Sequence, residues 1–220
     1  MAIELYSKNF YQLSDERIDK WKTIPTAVIG DSLNRQHVMS SRINSLHRTK
    51  MVGQAQTVTV VAGDNGAIHA AMNIIKPNQI LVIDGNGYKE RALWGAILNK
   101  LAIRRKIGGV VIDGAVRDVD ELREMELPLY FSAITPAGPH KGWGGGIGMN
   151  ISCGGISVSP GDIVIGDSDG VVVVPLEKEE KVFQITCDRL RKEEEIIAKI
   201  DSGQDLKGVF EYPKIETFNP

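Results

Sequence analysis

Apolar residues recur along the chain at two spacings, and the change from one spacing to the other predicts where strands and helices lie. Short runs rich in β-branched residues indicate three buried strands, at residues 56–62, 79–87 and 108–116. A segment with helical character follows each strand, at residues 63–75, 91–106 and 118–125. This alternation predicts a parallel or mixed sheet with right-handed crossovers and with helices packed on it.

The helix predicted at 91–106 is the most amphipathic segment of this alternating part. Its apolar face is expected to consist of Leu93, Ile97, Leu101 and Ile103. Its charged residues, expected to point to solvent, are Lys100, Arg104 and Lys106. The pattern therefore predicts a helix that packs on the sheet through one face.

The rest of the chain has a different pattern. Ser14 is expected to cap a helix at 14–22, and a second short helix is expected at 26–35, after Pro25. Turns rich in glycine and aspartate separate short apolar runs at 127–134 and 154–175. Such turns predict small strands and hairpins, so the sheet is expected to become mixed.

The last part of the chain is predicted to be one long charged helix, at 176–202, that ends at Gly203. No long linker and no internal repeat interrupts the sequence before it. We therefore expect one α/β domain at 1–175, which includes an N-terminal helical segment at 1–23. A C-terminal helix and tail is expected at 176–220.

The composition excludes several classes of protein. The 220 residues carry a net charge of −2, which gives no electrostatic reason to expect nucleic acid or an anionic membrane as a partner. No apolar run approaches the ~18 residues of a membrane span, and the first residues lack an apolar signal-peptide core. Two cysteines are too few for a disulfide framework. A cytoplasmic protein is the resulting expectation.

Arg117 and Asp118 stand side by side directly after the strand predicted at 108–116. In one interpretation Asp118 caps the next helix, with Glu121 completing a capping box, and Arg117 is solvated. In the other, the pair binds a ligand, because ligands bind beyond the carboxyl ends of strands in open α/β sheets. A guanidinium binds a carboxylate through two hydrogen bonds, and a carboxylate binds a divalent cation. The pair therefore suits a small anion that also chelates a metal.

The segment WGAIL, residues 94–98, offers a second element of such a site. If a helix begins near Gly95, its free N–H groups form an anion site that the helix dipole strengthens. The alternative is that Gly95 only lets this helix pack close to the sheet.

Six motifs together resemble the RraA-like family. They are PTAVIGDSL (25–33), GDNGAIHAA (63–71), LVIDGNG (81–87), WGAIL (94–98), GAVRDVDEL (114–122) and ISCGGISVSPGDIVIGDSDGVVVVP (151–175). The family includes the class II, metal-dependent aldolases of 4-hydroxy-4-methyl-2-oxoglutarate and 4-carboxy-4-hydroxy-2-oxoadipate, and the regulator of ribonuclease E activity A. The resemblance covers roughly residues 24–205. It implies a swivelling β/α/β-type domain with a mixed sheet, assembled as a homotrimer or hexamer with sites between subunits.

The resemblance also implies roles for individual residues. Asp118 matches the aspartate that binds Mg²⁺ or Mn²⁺, mostly through waters, and Arg117 matches the arginine that contacts the pyruvate moiety of a small 2-oxo acid. The backbone amides expected to bind its carboxylate are those of Gly95, Ala96, Ile97 and Leu98. The implied activity is cleavage of 2-oxo dicarboxylic acids, by retro-aldol reaction or by oxaloacetate decarboxylation, through a metal-stabilised pyruvate enolate.

One position departs from the family's catalytic members. Ala96 stands where they have an acidic residue, and general acid–base help is typically worth ~10²–10⁴-fold in rate. Other residues that could substitute for it are Asp31, Asp64, Asp84 and His69. Two alternatives to a lyase therefore remain: a non-catalytic regulator of the ribonuclease E inhibitor type, and a metabolite-binding protein with impaired catalysis.

Glu193, in the predicted C-terminal helix, matches a glutamate that reaches the metal-bound waters of a neighbouring subunit in aldolase-like members. The alternative is that the Lys- and Glu-rich helix is simply a solvated face with i,i+4 ion pairs.

Overall fold

The computed structural model describes residues 2–7, 9–204, 209–210 and 212–218. Its α-helices are α1 (Asp15–Lys22), α2 (Thr26–Ser32), α3 (Gly66–Ala71), α4 (Ala96–Arg104), α5 (Val119–Arg123) and α6 (Glu179–Asp201), the last preceded by a 3₁₀ turn at Leu176–Lys178. Its strands are β1 (Ile3–Leu5), β2 (Asn44–Ser45), β3 (Met51–Val60), β4 (Ile80–Trp94), β5 (Gly109–Val116), β6 (Leu129–Ile134), β7 (Gly145–Ile147), β8 (Ile151–Cys153), β9 (Ile156–Val158), β10 (Ile163–Asp167) and β11 (Gly170–Val174).

The main sheet is mixed. Along the described chain its central order is β1-β7-β3-β4-β5-β6-β2. Strand β10 pairs with the first part of β3, and β11 pairs with β10. Strands β3, β4, β5 and β6 pair in parallel, whereas β10 and β7 pair antiparallel to β3. The four parallel strands bring their carboxyl ends to one edge, which is where a ligand site is expected in such a sheet.

The parallel strands are buried on both faces, which explains their nearly continuous apolar sequence. All of β5 is buried, and its residues alternate between two layers of the core. Val110 and Ile112 join the cluster that contains α3 and α4, while Val111 joins the cluster beneath the β8–β9 hairpin. The two clusters fix the sheet between helices on one side and a hairpin layer on the other.

The C-terminal helix begins against the N-terminal helices. Trp21 of α1 is fully buried, and its Nε1–H donates to Glu179 Oε1 at 2.7 Å. Arg17 Nε also donates to Glu179 Oε1, at 2.6 Å. Val182 continues the contact in the apolar cluster that contains Trp21. The first turns of α6 are therefore held by a buried carboxylate with two donors.

The structure confirms the predicted α/β class with a mixed sheet and a C-terminal helix. The division of the chain at residue 175 stays a prediction. No helix in the described ranges is long and apolar enough to cross a membrane.

The helix predicted at 91–106 is wrong at its start. Strand β4 continues to Trp94, because Ala92 and Trp94 pair with Ala115 and Val116 of β5 across register shifts. Helix α4 begins only at Ala96, and of its predicted apolar face Leu101 packs against the core, whereas Ile97 and Ile103 are exposed. Leu93 lies in the strand and Ile97 is 77% exposed, whereas the residues that α4 buries are Ala96, Leu98, Asn99 and Ala102.

Candidate active site

A cavity of about 210 Å³ opens where β4 and β5 end. Its lining includes the residues predicted from the sequence together with a residue of β4: Leu93, Gly95, Ile97, Leu98, Arg117 and Asp118. A second group of lining residues comes from the start of α3 and the loop after β6: Asn65, His69, Gly138, Pro139 and Lys141. The structure thus brings Arg117, Asp118 and the start of α4 together in one cavity.

The turn after β5 sets the direction of the Asp118 carboxylate. The Arg117 N–H donates to the Trp94 carbonyl at 3.0 Å, and Asp118 has a left-handed backbone with φ 59°. Asp118 Oδ2 accepts from the Ala96 N–H at 3.1 Å and lies 3.6 Å from Arg117 Nε. Helix α5 has no side-chain cap from Asp118, so the capping-box interpretation with Glu121 is wrong. The carboxylate instead binds the first turn of α4.

The space beside the Gly95 Cα holds a hydrogen atom but no side chain. A Cβ at this position would lie 2.5 Å from Asp118 Oδ2 and 3.1 Å from Arg117 Cγ. The backbone is extended, with φ −164°, so any residue could adopt it. Gly138 shows the same crowding, because its Cβ would lie 2.7 Å from Arg117 Nη1. The two glycines therefore leave room for the Arg117–Asp118 pair.

The N-terminus of α4 retains free backbone donors. The first bond of the helix runs from the Asn99 N–H to the Gly95 carbonyl at 3.1 Å, so the amides before Asn99 precede the intrahelical ladder. Asp118 takes the Ala96 N–H, which leaves the N–H groups of Ile97 and Leu98 beside the cavity. This confirms the expected helix start near Gly95. Of the four amides expected to bind an anion, that of Ala96 donates to Asp118 in this structure, and their role in binding stays a prediction.

The residues around Asp118 fit a hydrated divalent cation. No group of three or more His, Cys, Asp or Glu residues suited to a metal occurs in the described part of the chain. A zinc site needs three or four protein ligands, whereas Mg²⁺ usually keeps several waters and binds one or two carboxylates. The Asp118 side chain is 34% exposed, and its Oδ1 has no hydrogen-bond donor among the described residues. That oxygen is available to a cation or to its water shell.

The second group of lining residues contains two that the sequence analysis did not select, Asn65 and Lys141. Asn65 is 4% exposed, and its Nδ2 donates to the Leu93 carbonyl at 3.1 Å. Its Oδ1 is buried without a partner among the described residues. The only signal for Asn65 was its position in GDNG before a helix, which indicates a cap; Lys141 stands in a glycine-rich loop that gives no signal at all.

His69 of α3 belongs to the same group of lining residues. Burial, with the nearby positive charge of Lys141 as a smaller cause, lowers the pKa of His69 below its usual 6.5. The imidazole is therefore neutral at physiological pH and accepts a proton at one ring nitrogen.

The three carboxylates considered as substitutes for the missing acid lie elsewhere or are already engaged. Asp31 faces Arg35 at 3.4 Å and Arg189 at 3.8 Å, on α2. Asp64 is fully buried and accepts from the N–H groups of Gly66 and Trp143.

Asp84 pairs in register with Asp113 of β5. Burial, the largest cause, and the nearby Asp113 carboxylate raise the pKa of Asp84 despite two backbone hydrogen bonds. Ala96 itself is buried, at 6% exposure. Of the four residues that could have substituted for an acid at that position, His69 lines the cavity.

Glu193 lies on α6, beside a separate surface hollow that also contains Arg189, Lys192 and Ile196. That hollow shares no lining residue with the cavity at Arg117. A contact of Glu193 with the site of a neighbouring subunit stays a prediction.

Comparison with known proteins points to one family. The RraA-like family model, described as Aldolase/RraA, matches residues 26–173. A Halalkalibacterium halodurans protein named "Putative 4-hydroxy-4-methyl-2-oxoglutarate aldolase" is 39% identical over 168 residues, 76% of this chain and 80% of that protein. The 4-hydroxy-4-methyl-2-oxoglutarate aldolase of Thermus thermophilus is 34% identical over 128 residues, 58% of this chain and 77% of that protein.

A solved structure is also similar. The RNA-processing inhibitor RraA from Thermus thermophilus superposes with a TM-score of 0.62 at 30% identity, over 69% of this chain and 92% of that chain. Relatives with an aldolase name and a relative with a regulator name thus share this fold.

Proposed function

The chain belongs to the RraA-like family, and within it we propose that this protein is a divalent-metal-dependent lyase of 2-oxo dicarboxylic acids. Its reactions are retro-aldol cleavage of 4-hydroxy-4-methyl-2-oxoglutarate type substrates to pyruvate, and decarboxylation of oxaloacetate. The observation that carries the proposal is the convergence of Arg117, Asp118 and the first turn of α4 on one cavity. The two aldolase-named relatives support it.

Both reactions place negative charge on the same oxygen. The electron pair of the C3–C4 bond passes toward C2, and the 2-oxo oxygen becomes the oxygen of an enolate. The Arg117 guanidinium is directed to that oxygen, and the free amides of Ile97 and Leu98 bind the adjacent carboxylate. Donors placed in advance where charge develops lower the barrier, because they need not reorganise during the reaction.

Asp118 is the residue that holds the cation, Mg²⁺ or Mn²⁺, in this proposal. When bound, a divalent cation supplies positive charge that polarises the 2-oxo group. The Ala96 N–H fixes the orientation of the carboxylate through Oδ2, which leaves Oδ1 for the water shell of the cation. Arg117 Nε lies 3.6 Å from Asp118 Oδ2, so the guanidinium makes no short ion pair that would occupy it.

The test measures pyruvate release from oxaloacetate and from 4-hydroxy-4-methyl-2-oxoglutarate. We expect turnover with Mg²⁺ or Mn²⁺, loss of turnover with EDTA, and recovery when the metal is restored. Arg117→Ala is expected to lower kcat/KM by about 10³-fold, the upper part of the range for loss of an oxyanion donor. Turnover that survives EDTA, or that is unchanged in Arg117→Ala, contradicts the proposal.

A non-catalytic regulator of the ribonuclease E inhibitor type is the second candidate, and the similar RNA-processing inhibitor supports it. Absence of both turnover and ligand binding favours this regulator. Metal-dependent binding of pyruvate or oxalate without turnover favours a metabolite-binding protein whose catalysis is impaired by Ala96. We also propose a homotrimer or hexamer, for which the mass of the assembly in solution is the measurement.

A further inference from the structure

The two proposed reactions differ in one proton. Retro-aldol cleavage must remove the hydrogen of the C4 hydroxyl, because C4–O becomes a carbonyl as the C3–C4 bond breaks. Oxaloacetate decarboxylation has no such hydroxyl and releases CO₂ without a base. The retro-aldol reaction therefore needs a group that accepts this proton, and the Ala96 side chain offers none.

We propose that His69 is the catalytic base that accepts the C4 hydroxyl proton in the retro-aldol reaction. This inference rests on the proposed function and extends it to a further residue. His69 lines the same cavity as Arg117 and Asp118. The alternatives do not line this cavity and have hydrogen-bond partners of their own: Asp64 is fully buried with two backbone donors, and Asp84 accepts from the Asn86 N–H at 2.9 Å.

The protonation state of His69 suits a base. Its burial lowers its pKa, and Lys141 adds to this effect, so the imidazole is neutral before substrate binds. The charged groups that share the cavity with it are Lys141 from the loop after β6, and Arg117 and Asp118 from the turn after β5. A neutral imidazole has one unprotonated ring nitrogen, which is the group that a general base needs.

Asn65 helps to fix the position of His69 beside the cavity. It precedes His69 by one helical turn, and the His69 N–H donates to its backbone carbonyl at 3.2 Å. The Asn65 Nδ2–H donates to the Leu93 carbonyl at 3.1 Å, which joins the start of α3 to the end of β4. His69 therefore enters the cavity from a helix that is hydrogen-bonded to the strand before α4.

The step balances without another reactant. The hydroxyl proton moves to the free ring nitrogen of His69, the oxygen lone pair forms the new C4 carbonyl, and the C3–C4 electron pair forms the enolate. Transfer of the proton from the imidazolium to C3 of the enolate yields pyruvate and restores neutral His69.

The decisive measurement compares His69→Gln with the unaltered protein on both substrates at saturating Mg²⁺. Glutamine retains hydrogen-bonding groups but takes up no proton in this pH range. We expect kcat/KM for 4-hydroxy-4-methyl-2-oxoglutarate to fall by ~10²–10⁴-fold, the usual contribution of a general base. Decarboxylation of oxaloacetate should change by less than about tenfold. His37→Gln, on a loop outside the cavity, should leave both activities unchanged.

Equal losses in the two reactions would show that His69 serves binding or folding, and no loss in either would show that it is idle; both results overturn the inference alone. If the unaltered protein turns over neither substrate, the proposed function fails and the inference fails with it. The pH profile of the unaltered protein decides the matter even where the variant does not fold. Retro-aldol kcat/KM should rise with pH through a group below pH 6.5, and decarboxylation should lack that limb.

Discussion

Two Arg–Asp pairs lie at strand β5, and they differ in their hydrogen bonds. Arg117 and Asp118 follow the strand, whereas Asp113 lies within it and pairs with Arg42. Asp113, within the strand, has a side chain only 6% exposed, and Arg42 approaches it with Nη2 at 2.6 Å and Nε at 3.3 Å. The Gly154 N–H adds a third bond at 3.0 Å. Asp118, beyond the strand, lies 3.6 Å from Arg117 Nε, and the side chains of this second pair are 34% and 39% exposed.

The difference lies in what each pair leaves unbound. Both oxygens of Asp113 are bound, and Arg42 uses its fork on one carboxylate, so this pair joins the loop after α2 to the sheet. In the second pair Asp118 Oδ1 and most of the Arg117 guanidinium remain available to the cavity. An Arg–Asp pair is thus structural when its hydrogen bonds are complete, and suited to a ligand when they are not.

The largest effect is expected from a change to the open pair. Arg117→Lys keeps the charge but loses the planar fork that binds two oxygens, so kcat/KM should fall by about 10²–10³-fold. The free energy of unfolding should stay within about 0.5 kcal/mol, because the side chain is partly exposed, lacks a short ion pair and keeps its charge in lysine. Steady-state kinetics and urea unfolding measure the two quantities. A clear loss of stability with activity retained would place Arg117 with the structural pair.

The reverse outcome is expected for the closed pair. Asp113→Asn removes a buried charge partner and weakens three hydrogen bonds, which should lower the free energy of unfolding by about 2–3 kcal/mol. This lies below the ~3–5 kcal/mol typical of a broken buried pair, because Arg42 is 44% exposed and can be solvated. Urea unfolding measures the change. Asp188→Asn, which breaks an exposed pair with Arg191, is the control and should change stability by less than about 0.5 kcal/mol.

A third change acts on the space around the open pair. Gly95→Ala puts a Cβ 2.5 Å from Asp118 Oδ2, so the carboxylate must leave the Ala96 N–H. We expect the affinity for Mg²⁺, measured by the metal dependence of turnover, to fall by about 10-fold, within the 10–100-fold typical of lost support around a ligand. Gly30→Ala is a matched control in α2, where the new Cβ meets a side chain, Val38 Cγ2, at 3.1 Å. Unchanged metal dependence in Gly95→Ala would contradict the geometry of the pair.

The sequence predicts the open pair but not its geometry. Strand periodicity and the Arg117–Asp118 dipeptide locate a ligand site at the carboxyl end of β5, and the structure has the cavity there. The sequence also suggests that Asp118 caps α5, because a local signal favours the nearest helix. The actual partner is the Ala96 N–H on another helix, and only the packing of β4 on β5 brings the two together.

Asn65 and Lys141 could not be predicted as lining residues for a related reason. Asn65 and Lys141 come from separate segments, and a single chain gives no pattern that joins them. The start of α4 was misjudged because Ala92, Leu93 and Trp94 suit either a buried strand or a helix, and pairing with β5 decides for the strand. Local preference yields to tertiary context at these positions.

The smallest effect is expected at another satisfied carboxylate, Asp167, which joins α2 to the β10–β11 hairpin. It accepts from Thr26 Oγ1 at 2.5 Å, from the Thr26 N–H at 2.9 Å and from Lys50 Nζ at 3.0 Å. Burial alone would raise its pKa, but these hydrogen bonds outweigh burial and lower the pKa of Asp167 below the usual 3.8. Its stabilising contribution is therefore complete above pH 3.8 and is lost as the pH falls further.

Asp167→Asn should consequently destabilise the protein by about 1 kcal/mol at pH 7, the order of one charge-assisted hydrogen bond partly replaced by the amide. As the pH is lowered from 5 to 3, the difference from the unaltered protein should hold down to about pH 3.8 and shrink below it, because the carboxylate that asparagine replaces becomes protonated. Urea unfolding of both proteins across this range is the measurement. A difference that stays constant with pH would mean that Asp167 stabilises the hairpin through packing, and that a complete set of hydrogen bonds does not by itself mark a structural carboxylate.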